Sequence, residues 1–234
     1  MQTITPATLT HLPTRVQYLR DFIQFTHEDA ATLHSAKAAI APLVPMVIDE
    51  VYTTLLSFDI TAKAFVPRQT GYTGGAPAKL GELGHNSPQI KFRKDFLTRY
   101  IVKLVTMNYE ANESWEYLDK VGLMHTGVAG FAHRAKKPGL RVEYMHCAIL
   151  LGFVEDILLK AIMALPDLDL DAKAQLVRSF NKVLWIQNDL FARHYIADQE
   201  VSASKISFEK GTAALLGLGL LSLGAGIAHY LWPC

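Results

Sequence analysis

Only two cysteines, Cys147 and Cys234, occur in the 234 residues, far apart and in unlike surroundings. That excludes a disulfide framework and a cysteine-ligated zinc site, and a reducing compartment is the simpler expectation. Excess charge is lacking too. The formal net charge is +1 and no basic stripe is present to track phosphates, which argues against nucleic acid as a partner. The N-terminal MQTITPATLTHLPTR has no charged stretch followed by an apolar one, so no secretory signal is read, and residues 1–14 are expected to form a disordered tail. Runs alternating at period two are missing as well, which sets the expected fold class as all-α. The glycines of Pro67–Pro88 fit neither a P-loop nor a dinucleotide fingerprint and follow no strand, so this segment is expected to be a surface loop.

One absence is local. From Gly211 to Cys234 there is no Asp, Glu, Lys or Arg, and Thr212–Trp232 supplies 21 mostly apolar residues. About 20 such residues make a helix long enough to cross a hydrocarbon core of roughly 30 Å. Lys205 and Lys210 precede the run, and Tyr230 and Trp232 stand at its far end as interfacial aromatics would. Residues 211–232 are therefore expected to form one C-terminal transmembrane helix, and 200–210 its polar linker. Such a chain would be a tail-anchored membrane protein whose main domain faces the cytosol. Small residues four apart, such as Ala213 and Gly217, would permit helix pairing in the membrane and a homodimer.

What is present is a series of amphipathic helices. Arg15–Phe25 is the first; Thr26 and Asp29 read as an N-terminal cap for a helix through Ala30 to Ile40. From Met46, Val47, Val51, Tyr52, Leu55 and Leu56 recur at helical spacing, which puts a tyrosine hydroxyl on a buried face. Ile90–Met107 sets Phe92, Phe96, Tyr100, Ile101 and Leu104 against a charged face. Val142–Leu165 and Ala172 to about Gln199 are two further long helices.

Between them lies WEYLDKVGLMHT, Trp115–Thr126, which sets His125 on an apolar face with Leu118, Val121, Gly122, Val128 and Ala129. Glycine costs a helix interior about 1 kcal/mol relative to alanine, so Gly122, Gly127 and Gly130 call for a reason, and space for a flat group to approach is one. On spacing alone two readings of His125 stand: a core histidine bonded to a carbonyl, or a ligand.

The motifs together resemble the protoglobin and globin-coupled-sensor branch of the globins. KVGLMHTG, Lys120–Gly127, is similar to that branch's signature around its proximal haem histidine. FIQFTHEDAATL (Phe22–Leu33) resembles its extra N-terminal helices, VIDEVYTTLLSFDITAKAF (Val47–Phe65) its distal helix, and FNKVLWIQNDLFARHY (Phe180–Tyr195) its closing helix. The resemblance implies a globin-like helical sandwich over about residues 15–199. It also implies haem b, with His125 as the iron ligand and Tyr52 facing a bound diatomic gas. Phe92, Phe96, Val121, Leu150, Leu151 and Phe153 would line the pocket. Imidazole suits haem iron, and distal polarity and access decide what becomes of the gas.

The connection after His125, with His133, Lys136, Lys137 and Pro138, is similar to the longer protoglobin one, and a membrane span stands where a sensor carries its output module. The leading functional expectation is a membrane-tethered globin that binds O₂, NO or CO as a sensor or carrier, working through a signalling protein. An NO dioxygenase or nitrite reductase fed by a partner reductase is the enzyme alternative, since no flavin or nicotinamide domain is encoded. A haem-free tail-anchored adaptor is the third.

Overall fold

In the computed structural model, residues 1, 3–68, 72–127 and 141–196 are described. The chain divides into two compact units, residues 1–192 and 193–234. Of the second, residues 193–196 are described and are helical. The expected transmembrane helix, its linker, Cys234, and the segment holding Val128, Ala129, Gly130 and His133 lie outside the described residues.

The first unit is built of helices: α1 (Leu12–Ile23), α2 (His27–Ser35), α3 (Lys37–Ile40), α4 (Val44–Ser57), α5 (Asp59–Ala62), α6 (Pro88–Leu104), α7 (Asn112–His125) and α8 (Tyr144–Met163). A last helix, α9, starts at 170 and runs to the end of the unit at 192. No strand occurs among the described residues.

Several ends have local causes. Pro13, Pro45 and Pro88 open α1, α4 and α6, where a missing N–H costs nothing because the first turn has no partner for it. Part of the expected N-terminal tail forms a 3₁₀ turn, Pro6–Thr10, and α1 begins at Leu12. The expected cap is present: Thr26 and Asp29 form a capping box at the start of α2. That helix stops at Ser35 rather than reaching Ile40, and α3 resumes at Lys37. Within Pro67–Pro88 the chain includes a 3₁₀ turn at Leu80–Glu82.

Val16, Leu33, Val47, Ile48, Val51, Ile90, Ile101, Leu118, Ile157, Leu158, Val183 and Leu190 form one continuous core. Lys37–Ser57 is long and apolar enough by composition to cross a membrane, with mean hydropathy 1.4. Here Val47, Ile48 and Val51 place its apolar face in that core.

Two polar ties fix the N-terminal helices to α9. Arg15 makes a two-pronged pair with Asp189, Nε to Oδ2 at 2.5 Å and a terminal nitrogen to Oδ1 at 2.7 Å. Asp29, 1% exposed, accepts from Lys182 Nζ at 2.8 and 2.9 Å, from Ser179 Oγ at 3.0 Å and from the Thr26 amide at 2.9 Å. Burial alone would raise the Asp29 carboxyl, but the Lys182, Thr26 and Ser179 hydrogen bonds outweigh it and hold the group below the usual range.

Candidate functional site

His125 is the last residue of α7. The sequence pattern suggested that the helix would run on through Val128 and Ala129. It stops instead because Thr126 is its C-cap and Gly127 takes the left-handed conformation, φ 78°, that commonly ends helices. The Thr126 hydroxyl turns back to the Leu123 carbonyl at 2.9 Å. Beyond the residues that follow, the chain returns to the same point, where the Val142 amide donates to the His125 carbonyl at 2.8 Å.

The imidazole is oriented from both sides. Its Nδ1 lies 2.7 Å from the Val121 carbonyl oxygen, which can only accept, so Nδ1 carries a proton and, in the neutral ring, Nε2 is the nitrogen with the lone pair. On a metal-binding histidine this second hydrogen bond selects the coordinating nitrogen and the ring plane. The ring edge of Phe191 packs against it, with centroids 5.1 Å apart at 75°.

Gly122, one turn before His125, explains how α9 comes so close. A Cβ there would lie 2.4 Å from the Leu190 carbonyl oxygen and 3.2 Å from the Phe191 Cα. The glycine makes room for a neighbouring helix backbone rather than for a flat cofactor. A further tie crosses between α7 and α9: Gln187 Nε2 donates to the Leu118 carbonyl at 3.1 Å, and Tyr100 Oη to Gln187 Oε1 at 3.3 Å.

Tyr52 sits on the buried side of α4 at 6% exposure. Its ring packs on Phe65 at 5.7 Å, and Lys94 Nζ lies 5.9 Å from the ring centre. Phe65 is itself held. Gln89 Nε2 donates to the Phe65 carbonyl at 2.6 Å and to the Pro67 carbonyl at 3.1 Å, and Arg93 donates to Pro67 and lies over the Phe65 ring. Burial pushes the Tyr52 phenol far above its ordinary range, with Arg93 pulling weakly the other way, so it is a protonated donor at any physiological pH. That hydroxyl has no hydrogen-bond partner among the described residues. A hydroxyl without a protein partner is free to donate to a bound acceptor.

The other expected lining residues separate. Val121 is joined to His125 by its carbonyl. Phe92 and Phe96 pack edge to face at 5.2 Å on α6, but Phe96 is 48% exposed. Leu150, Leu151 and Phe153 on α8 are half-buried against the core. On the same helix Met145 and Ile149, four residues apart, are 64% and 69% exposed and leave apolar surface uncovered. The imidazole with its Nδ1 bonded to a carbonyl, the phenol and the exposed apolar residues of α8 are the groups that a flat, largely apolar cofactor could engage.

Three groups at this site were not foreseen from the sequence. Phe191 was legible only as one apolar residue of a helix and Arg93 as part of a charged face, and Gln89 carried no signal, because the pairings join distant segments. Among the described residues no group of three His, Cys, Asp or Glu side chains converges on a metal position.

The sequence pattern described as Protoglobin matches residues 12–201. Comparison with the curated proteins gave no match. Among solved structures, the globin domain of the Geobacter sulfurreducens globin-coupled sensor is similar in fold, with a TM-score of 0.57 at 20% identity. The match covers 76% of this chain and 96% of that one.

Proposed function

The chain belongs to the protoglobin family, a globin family and so one that implies a haem cofactor, and from that premise we propose that it is a haem b gas sensor or carrier. In this reading His125 holds the iron through Nε2 and Tyr52 faces the ligand, O₂, NO or CO. When bound, the haem supplies an iron centre that takes up diatomic gases.

The observation that carries the reading is the 2.7 Å hydrogen bond from His125 Nδ1 to the Val121 carbonyl. It leaves the ring in the one tautomer whose Nε2 can bind iron, and Phe191 holds the ring plane. Tyr52 contributes a neutral donor in apolar surroundings, where a hydrogen bond to a polarised acceptor is strengthened. Phe65, held by Gln89 and Arg93, packs on the Tyr52 ring and supports its position. Phe92, Phe96, Leu150 and Phe153 supply apolar lining. Residues 211–232 tether the domain to a membrane with the globin in the cytosol, and signalling passes to a partner protein or a second copy of the chain.

The test is the absorption spectrum of the purified chain, reduced and then exposed to O₂, beside His125→Ala. The parent should show a Soret band that shifts on O₂. The variant should lose the band while its far-ultraviolet circular dichroism stays helical. Stoichiometric haem in the variant would put the iron ligand elsewhere.

A further inference from the structure

The end of α7 opposite His125 borders a cleft of about 480 Å³, within the roughly 300–1,000 Å³ usual for small-molecule sites. Arg99, Lys103 and Thr106 reach it from α6 and the turn after it, Asn108 from the connection, and Ser114 from the first turn of α7. Its lining contains two cations and no carboxylate.

Neither cation is neutralised. Among the described residues Arg99 and Lys103 make no ion pair; each rests over a ring, Arg99 at 5.8 Å from Phe96 and Lys103 at 4.4 Å from Tyr117. The helix start is uncapped, since Ala111 occupies the N-cap and offers no side-chain acceptor to the first N–H groups. Ser114 is 7% exposed, and its hydroxyl lines the cleft without a hydrogen-bond partner among the described residues. Asn108 Oδ1 already accepts from the Glu110 amide at 3.0 Å, so its NH₂ is the group left to donate. Glu113, in the same first turn of α7, is exposed and is not part of the lining.

The lining thus brings two cations without ion pairs among the described residues, two amide or hydroxyl donors and an uncapped helix start to one cleft that holds no carboxylate. We propose that this cleft binds a soluble phosphoryl compound. Its phosphate would sit between Arg99, Lys103, the Ser114 hydroxyl and the start of α7, and the volume leaves room for an organic remainder. A guanidinium fork, an ammonium point charge and helix N–H groups are the donors that phosphate oxygens take elsewhere. The site is independent of the haem reading.

The experiment titrates inorganic pyrophosphate into the full chain by calorimetry, at low and at physiological salt. One saturable site per chain is expected, weakened about tenfold by Lys103→Gln or Arg99→Gln. Ser114→Ala should weaken it about fivefold, and Lys120→Gln, on an exposed part of α7 beside Glu116, should leave it unchanged. Circular dichroism of each variant separates misfolding from lost binding. Competition by glycerol phosphate supports a soluble ligand; competition by phosphatidate vesicles alone overturns that assignment. The proposal also fails if binding does not saturate, if Ser114→Ala and Lys103→Gln bind like the parent, or if Lys120→Gln weakens binding as much as they do.

Discussion

Gly122→Ala separates two opposing effects of one methyl group. In a free helix the change stabilises by about 1 kcal/mol, because glycine gives up more backbone freedom. In this structure the new Cβ meets the Leu190 carbonyl oxygen at 2.4 Å and its carbon at 3.0 Å, both backbone atoms that no rotamer change can move. Restoring an ordinary contact requires α7 and α9 to part by roughly 1 Å, and overpacking of this kind costs about 1–3 kcal/mol. With backbone on the far side the upper figure applies, so the net loss is about 2 kcal/mol. For a domain of this size that lowers Tm by about 4–8 °C. Gly152, on the exposed side of α8, is the internal control, since a Cβ there meets nothing within 4 Å. Gly152→Ala should raise stability by up to about 1 kcal/mol. Urea unfolding of both variants measures the pair. Because Phe191 follows Leu190 and packs on His125, haem transfer to apomyoglobin should also be faster in Gly122→Ala. A Gly122→Ala variant as stable as Gly152→Ala would refute the close crossing.

Tyr52→Phe should speed O₂ dissociation by about 10–150-fold, the equivalent of roughly 1.5–3 kcal/mol for a hydrogen bond to a charged acceptor, and change CO dissociation far less. Flash photolysis decides it, and equal effects on both gases would place the hydroxyl outside the pocket. Asp29→Asn leaves Lys182 without its carboxylate and should cost about 3 kcal/mol at pH 7 by urea unfolding. Because the folded Asp29 pKa lies below its ordinary 3.8, the pair's contribution is present above that pH and is lost as pH falls further. The gap between parent and variant should therefore shrink below about pH 4; a gap constant to pH 3 would mean that charge is not what the pair contributes. Removing residues 210–234 should release the chain from membranes on fractionation, and retention would locate the membrane contact in the globin unit.

Much of the helical frame was legible because its periodicity is local: Thr26 with Asp29, Pro45 and Pro88 each mark an end within a few residues of their cause. His125 was legible because it breaks an apolar stripe. Its hydrogen bond follows from helix geometry, since the Val121 carbonyl lies one turn back. What the pattern hid was tertiary. Gly122 answers to the backbone of Leu190, 68 residues on, and Tyr52 is positioned through Phe65 by Gln89 and Arg93, which read alone look like polar residues facing water. Phe96, an apolar position at helical spacing, keeps half its surface exposed, which spacing alone does not reveal.

The hydrogen bond from the Val142 amide to the His125 carbonyl makes the chain leave and re-enter the proximal corner at a single point. Closing a longer loop between fixed ends adds only about 0.6 kcal/mol for each doubling of its length. Thr126 and Gly127 on one side and Val142 on the other therefore hold both ends of that excursion, so a change in chain length between them is expected to leave the histidine its helix and its aromatic neighbour.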